Sequence, residues 1–227
     1  ELKRSFVAAM ADILHRFEVQ CSSLHPFTSE IEPMMLFSNY ERRVGDFLEY
    51  CRNYFTAMQQ LGATIFVLHG NKQVVGMDID FYCERFGKLA ALGKSYGVTV
   101  AQENVARYTS RSLAFLQQMQ QKMGNEVKFV LDVKQAVRSK EDPMQMLQTL
   151  GRNIVHVHIS DHGEYGDCLP IGAGRFAVKT FLQTLSTISP NCTVMLELYR
   201  SGFRTLQDLL HNYHILQRMI QNCNKEE

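Results

Sequence analysis

The chain has 227 residues, of which 45% are hydrophobic and 21% charged, as is typical of a globular protein with a substantial core. This composition excludes intrinsic disorder, collagen-like repeats and coiled coils. Lysine plus arginine number 24 and aspartate plus glutamate 23. The resulting net charge of +1 argues against a nucleic-acid or membrane-surface partner. No apolar run approaches the roughly 20 residues that cross a bilayer, and the N-terminal segment lacks the pattern of a signal peptide.

The six cysteines are dispersed along the chain and form no CxxC pair. A chain of this length does not need disulfides to stabilise its fold. We therefore expect reduced thiols, several of them in the core, and a cytoplasmic protein.

Apolar runs of strand length alternate with segments of helical spacing. The predicted strands are 17–25, 64–70, 98–104, 127–133, 153–161 and 192–199. The helical stripes are Leu48, Cys51, Phe55 and Met58; Leu113, Leu116, Met119 and Met123; Phe181, Leu182, Leu185 and Ile188; and Leu206, Leu209, Leu210, Tyr213 and Leu216. Strands separated by helices run parallel, so we expect one α/β domain over 1–227.

Doubly wound sheets and (β/α)₈ barrels both fit this alternation. A dinucleotide-binding sheet would show a glycine-rich turn after an early strand, and the chain contains neither GxGxxG nor GxxxxGK[ST]. A barrel instead predicts functional groups at the C-terminal ends of many strands.

An ionisable side chain lies at or near the C-terminal end of every predicted strand. In order, these are His25, His69, Glu103, Asp132, His158 and Glu197. Three buried carboxylates would repel one another unless a cation neutralised them. Oxygen and nitrogen donors without cysteine suggest Mn²⁺, Mg²⁺, Co²⁺ or Zn²⁺. The alternative is a buried ion-pair network in which Lys134, Arg107 and Arg200 are the partners.

Four sequence motifs occur in the following order along the chain: VAQEN, FVLDVKQA, VHVHISD followed by LPIGAG, and VMLELY. Together they resemble the xylose isomerase-like TIM-barrel superfamily, which includes sugar phosphate isomerases, ketose 3-epimerases and endonuclease IV. The resemblance extends from residue 17 onward. It implies a (β/α)₈ barrel in which Glu103, Asp132, His158 and Glu197 bind one divalent ion.

Two positions depart from the family pattern. Where the family often has a histidine three residues after the aspartate, this chain has Gln135, which can still hydrogen-bond a sugar hydroxyl. The endonuclease pattern also needs a D-x-H pair, and here Asp167 is followed by Leu169 in the histidine position. Cleavage of abasic DNA is therefore not expected.

The number of predicted strands is also lower than the family implies. Six are found where eight are expected, and a complete barrel has about 250 residues. By resemblance, the first one or two strands are absent from this chain. Family members are often dimers or tetramers, so the resemblance also implies a homo-oligomer.

The predicted function is divalent-metal-dependent isomerisation or epimerisation of a small sugar, ketose or sugar phosphate through an enediolate. The resemblance gives Glu103 and Glu197 the acid and base roles. Substrate contacts are predicted for His25, His69 and Gln135, and for Arg175 if the glycine-rich turn before it binds phosphate. The alternatives are lyase or hydrolase chemistry of the inosose dehydratase type and a non-catalytic sugar-binding protein.

Overall fold

The computed structural model describes residues 3–72 and 76–223, which form two compact units. Unit 1 comprises the described residues up to Glu103, with Arg107–Ser110 and Gln118–Lys128. Unit 2 comprises Asn104–Ala106, Arg111–Gln117 and the residues from Phe129 onward. Both units contain parallel strands and helices, which confirms the α/β class. The single domain over 1–227 stays a prediction.

Unit 1 contains a three-stranded parallel sheet in the order β1-β2-β3. Its elements are α1 (Arg4–Arg16), β1 (Ser23–Leu24), α2 (Glu32–Met35), α3 (Glu41–Leu61), β2 (Ile65–Leu68), α4 (Ile79–Ser95) and β3 (Thr99–Glu103). Every residue of β2 is buried, as expected for a parallel strand covered on both faces. Helix α5 (Leu113–Met123) contributes residues to both units.

Unit 2 contains the parallel strands β4, β5 and β8 in that order, together with a two-stranded antiparallel hairpin. Its elements are β4 (Lys128–Asp132), α6 (Val133–Arg138), α7 (Pro143–Leu150), β5 (Ile154–Ile159), β6 (Asp161–Gly163), β7 (Gly166–Leu169), α8 (Val178–Ile188), β8 (Thr193–Leu196) and α9 (Leu206–Cys223). Lys128, at the start of β4, belongs to unit 1.

Aspartate side chains cap the N-termini of α4, α6 and α7. Asp78 accepts a hydrogen bond from the backbone N–H of Asp80 at the start of α4, and Asp142 accepts one from Met144 at the start of α7. Asp132 caps α6 in the same way, by accepting from the N–H of Gln135. A capping carboxylate pairs an amide that the helix itself leaves without a partner. At α6 this places a predicted metal ligand at the junction of a strand and a helix.

All six predicted strands are present, but the first is much shorter than 17–25. Helix α1 continues to Arg16, and Glu18 has a left-handed backbone (φ 53°), so only Ser23 and Leu24 pair with β2. The β6–β7 hairpin was not predicted, because its residues 161–169 have no alternating apolar pattern.

The apolar stripe predicted for the last helix lies mostly at the surface of unit 2. Helix α9 forms as predicted, and it packs on α8. Only Leu216 of the stripe is buried, whereas Leu206 is 78% exposed and Leu210 and Tyr213 are also exposed. Periodicity therefore identified the helix but not the degree of burial of its apolar face.

All six cysteines are free thiols, and four of them are buried, as the dispersed spacing predicted. Among residues 3–72 and 76–223, no helix combines the length and apolar composition that spanning a bilayer requires.

Candidate metal centre

In unit 2, three predicted ligands come together at the C-terminal ends of parallel strands. Asp132 is the last residue of β4, His158 lies one residue before the end of β5, and Glu197 directly follows β8. Their ligand atoms lie within 4.8 Å of one another. Nδ1 of His158 is 3.2 Å from Oε2 of Glu197 and 3.7 Å from Oδ2 of Asp132. Two carboxylates and an imidazole at this spacing fit a divalent cation.

The two carboxylate oxygens of Asp132 make different contacts. Its Oδ1 atom accepts the N–H of Gln135 over 2.9 Å, and this capping bond orients the carboxylate. Its Oδ2 atom faces His158 and Lys134. The cap therefore directs Oδ2 towards the other side chains of the cluster.

Lys134 lies inside this cluster. Its Nζ atom is 2.5 Å from Oε1 of Glu197 and 3.2 Å from Oδ2 of Asp132, and the ring of Tyr199 lies 4.9 Å away. Lysine is rarely buried to this extent unless it is paired. Lys134 therefore makes the ion pairs that were considered as the alternative to a metal site. Arg200 instead donates to the backbone carbonyls of Phe203 and Arg204.

These contacts shift the pKa values of both partners. Burial alone would raise the pKa of Glu197, but hydrogen bonds from His158 and Lys134, and their charges, lower it to about 2. Burial opposes the charged form of Lys134, and the carboxylates of Asp132 and Glu197 overcome this effect and raise its pKa. At neutral pH Glu197 is therefore ionised and Lys134 is charged.

Two further side chains of unit 2 support the cluster. Oδ1 of Asn104 accepts the N–H of Asp132 over 2.7 Å, and its Nδ2 atom donates to the carbonyl oxygen of Asp132 over 3.0 Å. His156 is buried, its Nδ1 atom lies 2.6 Å from Oγ1 of Thr193, and its ring meets that of His158 edge-on. The role of Asn104 was not predicted from the sequence. The available signal was an amide directly after a strand-end carboxylate.

In unit 1, Glu103, His69 and His25 form a second cluster. Nε2 of His69 lies 2.9 Å from Oε2 of Glu103 and 2.6 Å from Nε2 of His25. Nε2 of His25 is 3.7 Å from the same glutamate oxygen. Each residue offers a ligand atom within 4.8 Å of the others, so this cluster also has the composition of a cation site. Glu103 is buried, whereas His25 is exposed.

Buried polar residues position this second cluster. Nε2 of Gln102 donates to the carbonyl oxygens of His69 and Glu103, and its Oε1 atom accepts the hydroxyl of Tyr82. Glu32 accepts the N–H of Gly70, the residue after His69, over 2.7 Å. Burial raises the pKa of Glu32 to about 7, although hydrogen bonds from Thr28 and Gly70 oppose the shift. None of these three supporting residues was predicted.

Two of the predicted substrate contacts are engaged with neighbours inside unit 2. Oε1 of Gln135 accepts the N–H of Ala106 over 3.1 Å. Arg175 is exposed and donates to Glu164 over 2.7 Å. On either side of Arg175, the N–H groups of Gly172 and Phe176 donate to Asp161. Those amides are the groups that would bind a phosphate, so the substrate roles of Gln135 and Arg175 stay predictions.

Asp167 occupies the aspartate position of the incomplete D-x-H pair, and it forms an ion pair with Arg138. Its two carboxylate oxygens accept from Nε and Nη2 of Arg138 at 2.6 and 2.9 Å. This paired geometry lowers the pKa of Asp167. Arg138 also donates to the hydroxyl of Tyr199. Asp167 is therefore part of an ion pair that joins the β6–β7 hairpin to α6.

Comparisons with known proteins agree on one architecture. The chain is similar to a D-tagatose 3-epimerase-like protein, with 20% identity, a TM-score of 0.79 and coverage of 99% of this chain and 86% of that one. It is similar to L-ribulose 3-epimerase, with 14% identity, a TM-score of 0.70 and coverage of 97% and 81%. The IolI protein, solved with a zinc atom, shows 16% identity, a TM-score of 0.66 and coverage of 96% and 81%.

Identities this low show the fold alone, and no curated protein sequence matches the chain. A family model described as a xylose isomerase-like TIM barrel matches residues 2–219. This match covers nearly the whole chain and confirms the resemblance that the four motifs indicated. The chain therefore belongs to the xylose isomerase-like TIM-barrel family.

Proposed function

We propose that this protein is a divalent-metal-dependent isomerase or epimerase of a small sugar, ketose or sugar phosphate. The observation that carries the proposal is the cluster of the buried Asp132 and His158 with the half-buried Glu197 at the ends of three parallel strands. In TIM-barrel enzymes, catalytic groups lie at this end of the strands. Several proteins of similar fold are described as sugar epimerases, which supports a carbohydrate substrate.

The proposed ligands are these three residues and Glu103, the last residue of β3. The set contains three carboxylates and one imidazole, which suits Mn²⁺, Mg²⁺, Co²⁺ or Zn²⁺. A zinc atom in the similarly folded IolI protein supports a divalent ion. When bound, such an ion would polarise the carbonyl of the substrate and neutralise the charge that develops on its oxygen.

Glu103 and Glu197 are the proposed acid and base. An isomerase removes a proton from the carbon beside the carbonyl and returns it to the neighbouring carbon, and an epimerase returns it to the opposite face. Glu197 is ionised at neutral pH and is therefore in the protonation state of a base. His69 and His25, close to Glu103, would hydrogen-bond the hydroxyl groups of the substrate.

One observation favours the non-catalytic sugar-binding alternative. Lys134 already offsets part of the charge of Asp132 and Glu197, so these carboxylates have a cationic partner without a metal ion. A binding protein with this arrangement would retain the sugar site without proton transfer. Exchange of substrate protons with solvent separates the two hypotheses.

The experiment is a deuterium-incorporation screen by NMR. The protein, supplied with Mn²⁺, Mg²⁺, Co²⁺ or Zn²⁺, is incubated in D₂O with ketoses and ketose phosphates. We expect deuterium at the carbon beside the carbonyl for one substrate class and its loss in Glu103→Gln and in Glu197→Gln. The exposed Glu126→Gln is the matched control and should retain exchange. Exchange that persists in either glutamate variant refutes the assignment, and loss of water from the substrate indicates a lyase.

A further inference from the structure

The cluster of Asp132, His158 and Glu197 in unit 2 includes the positively charged side chain of Lys134. The side chain of Lys134 is only 4% exposed, and its ammonium group contacts a carboxylate oxygen of Glu197 and one of Asp132. The ring of Tyr199 faces the same ammonium group, and Arg138 lies on this ring as well. Lys134 is thus enclosed by the two carboxylates and an aromatic ring. It occupies the position where a counter-ion for these carboxylates is needed.

A divalent ion would use the same carboxylates. Ligand oxygens must direct lone pairs at the ion, and the ammonium group already engages Oε1 of Glu197 and lies near Oδ2 of Asp132. Two cations in a buried site also repel strongly, because little water screens them. The ammonium group and a divalent ion therefore compete for Oδ2 of Asp132 and for the negative charge of Glu197, whose other oxygen, Oε2, faces His158.

We propose that Lys134 is an internal cation that offsets part of the negative charge of Asp132 and Glu197 when no divalent ion is bound and that the ion must displace. This inference rests on the proposed function, because it takes both carboxylates as metal ligands. Lysine suits the role because its compact charge sits on a flexible four-carbon chain that can swing away. The consequence is a weakened and reversible metal site that retains its shape when empty.

The first test measures metal affinity by isothermal titration calorimetry with Mn²⁺ and with Zn²⁺. Lys134→Met removes the charge and keeps an unbranched side chain of similar length. We expect it to bind either ion about tenfold or more tightly than the wild-type chain, because the competing cation is gone. The matched control is Lys140→Met at an exposed lysine just after α6, which should leave affinity unchanged. Equal or weaker binding by Lys134→Met overturns the proposal.

The second test uses only the wild-type protein, so its result is valid even if the Lys134→Met variant does not fold. Wild-type protein is treated with an amine-acylating reagent with and without saturating Mn²⁺, and the modified lysines are quantified by peptide mass spectrometry. A displaced Lys134 becomes accessible, so its modification should rise several-fold with Mn²⁺ while that of Lys140 stays constant. Unchanged or reduced modification of Lys134 in the metal-loaded protein overturns the displacement.

The outcomes distinguish this inference from the proposed function. If Lys134→Met binds a divalent ion and the wild-type chain binds none, Lys134 replaces the metal, and the metal dependence proposed above is wrong. If both bind with the expected difference but no sugar exchanges its proton, the enzyme assignment fails and the role of Lys134 stands. If neither binds a divalent ion, both proposals fail.

Discussion

The backbone N–H of Asp132 donates to Oδ1 of Asn104 over 2.7 Å, and Nδ2 of Asn104 donates back to the carbonyl oxygen of Asp132 over 3.0 Å. Both residues are buried. One side chain thus pairs both backbone groups of a residue that belongs to the candidate metal centre. The pair of bonds resembles one rung of a β-ladder and holds Asp132 where β4 meets α6.

Asn104→Ala should therefore destabilise the fold and weaken the metal site. Removal of the amide leaves a buried N–H and a buried carbonyl without this partner, at a cost of about 2–3 kcal/mol in the free energy of unfolding. Urea unfolding measures the loss. Asn53→Ala, at an exposed asparagine of α3, should change the same quantity by less than about 0.5 kcal/mol. Equal losses in the two variants would contradict a specific role for Asn104.

Glu197 should stabilise the metal-free protein in a pH-dependent way. Its pKa is about 2 in the folded state, below the ordinary value of 4.5. Its contribution is therefore complete above pH 4.5 and is lost as the pH falls towards 2. The advantage of the wild type over Glu197→Gln in urea unfolding should stay constant from pH 7 to 5 and shrink below 4.5. The exposed Glu164→Gln serves as control. An advantage that persists to pH 2.5 would refute the assignment.

Glu32 should show the opposite pH dependence. Its pKa is about 7 in the folded state and 4.5 ordinarily, so between these values the folded protein holds the proton more tightly. Stability therefore falls as pH rises from 4.5 to 7, by an amount on the order of 3 kcal/mol at most.

Glu32→Gln tests this expectation. An amide can accept the N–H of Gly70 and donate to the hydroxyl of Thr28, so both hydrogen bonds survive. Relative to the wild type, this variant should gain stability progressively from pH 4.5 to 8 in thermal or urea unfolding. The exposed Glu49→Gln should give a flat difference over the same range. A flat difference for Glu32→Gln as well would show that Glu32 titrates normally.

Gly70 should not tolerate any side chain. Its φ is 89°, a left-handed conformation, and an added Cβ would lie 2.0 Å from the hydroxyl of Tyr82. Gly70→Ala should therefore lower the free energy of unfolding by about 2–4 kcal/mol. Gly45→Ala, in α3 with no atom within 4 Å of the new Cβ, should raise it by about 0.5–1 kcal/mol. The prediction fails if the two variants change stability in the same direction.

The sequence by itself determined the alternation of strands and helices and, through the four motifs, the family. These features follow from local patterns, since alternation of apolar strands and amphipathic helices leaves few architectures open. The candidate site residues at the strand ends could also be identified from the sequence. A charged side chain directly after a buried run of apolar residues requires a functional or structural explanation. Asp132, His158 and Glu197 were found in this way.

Only the tertiary structure decided what surrounds those side chains. The ion pair of Lys134 with Glu197 joins residues 63 positions apart, and the hydrogen bond from the N–H of Gly70 to Glu32 joins residues 38 apart. Such pairs cannot be predicted from spacing along the chain, because they depend on how strands and helices pack in space. The same holds for the exposed stripe of α9, since periodicity reports which residues share a helix face and packing alone determines whether that face is covered.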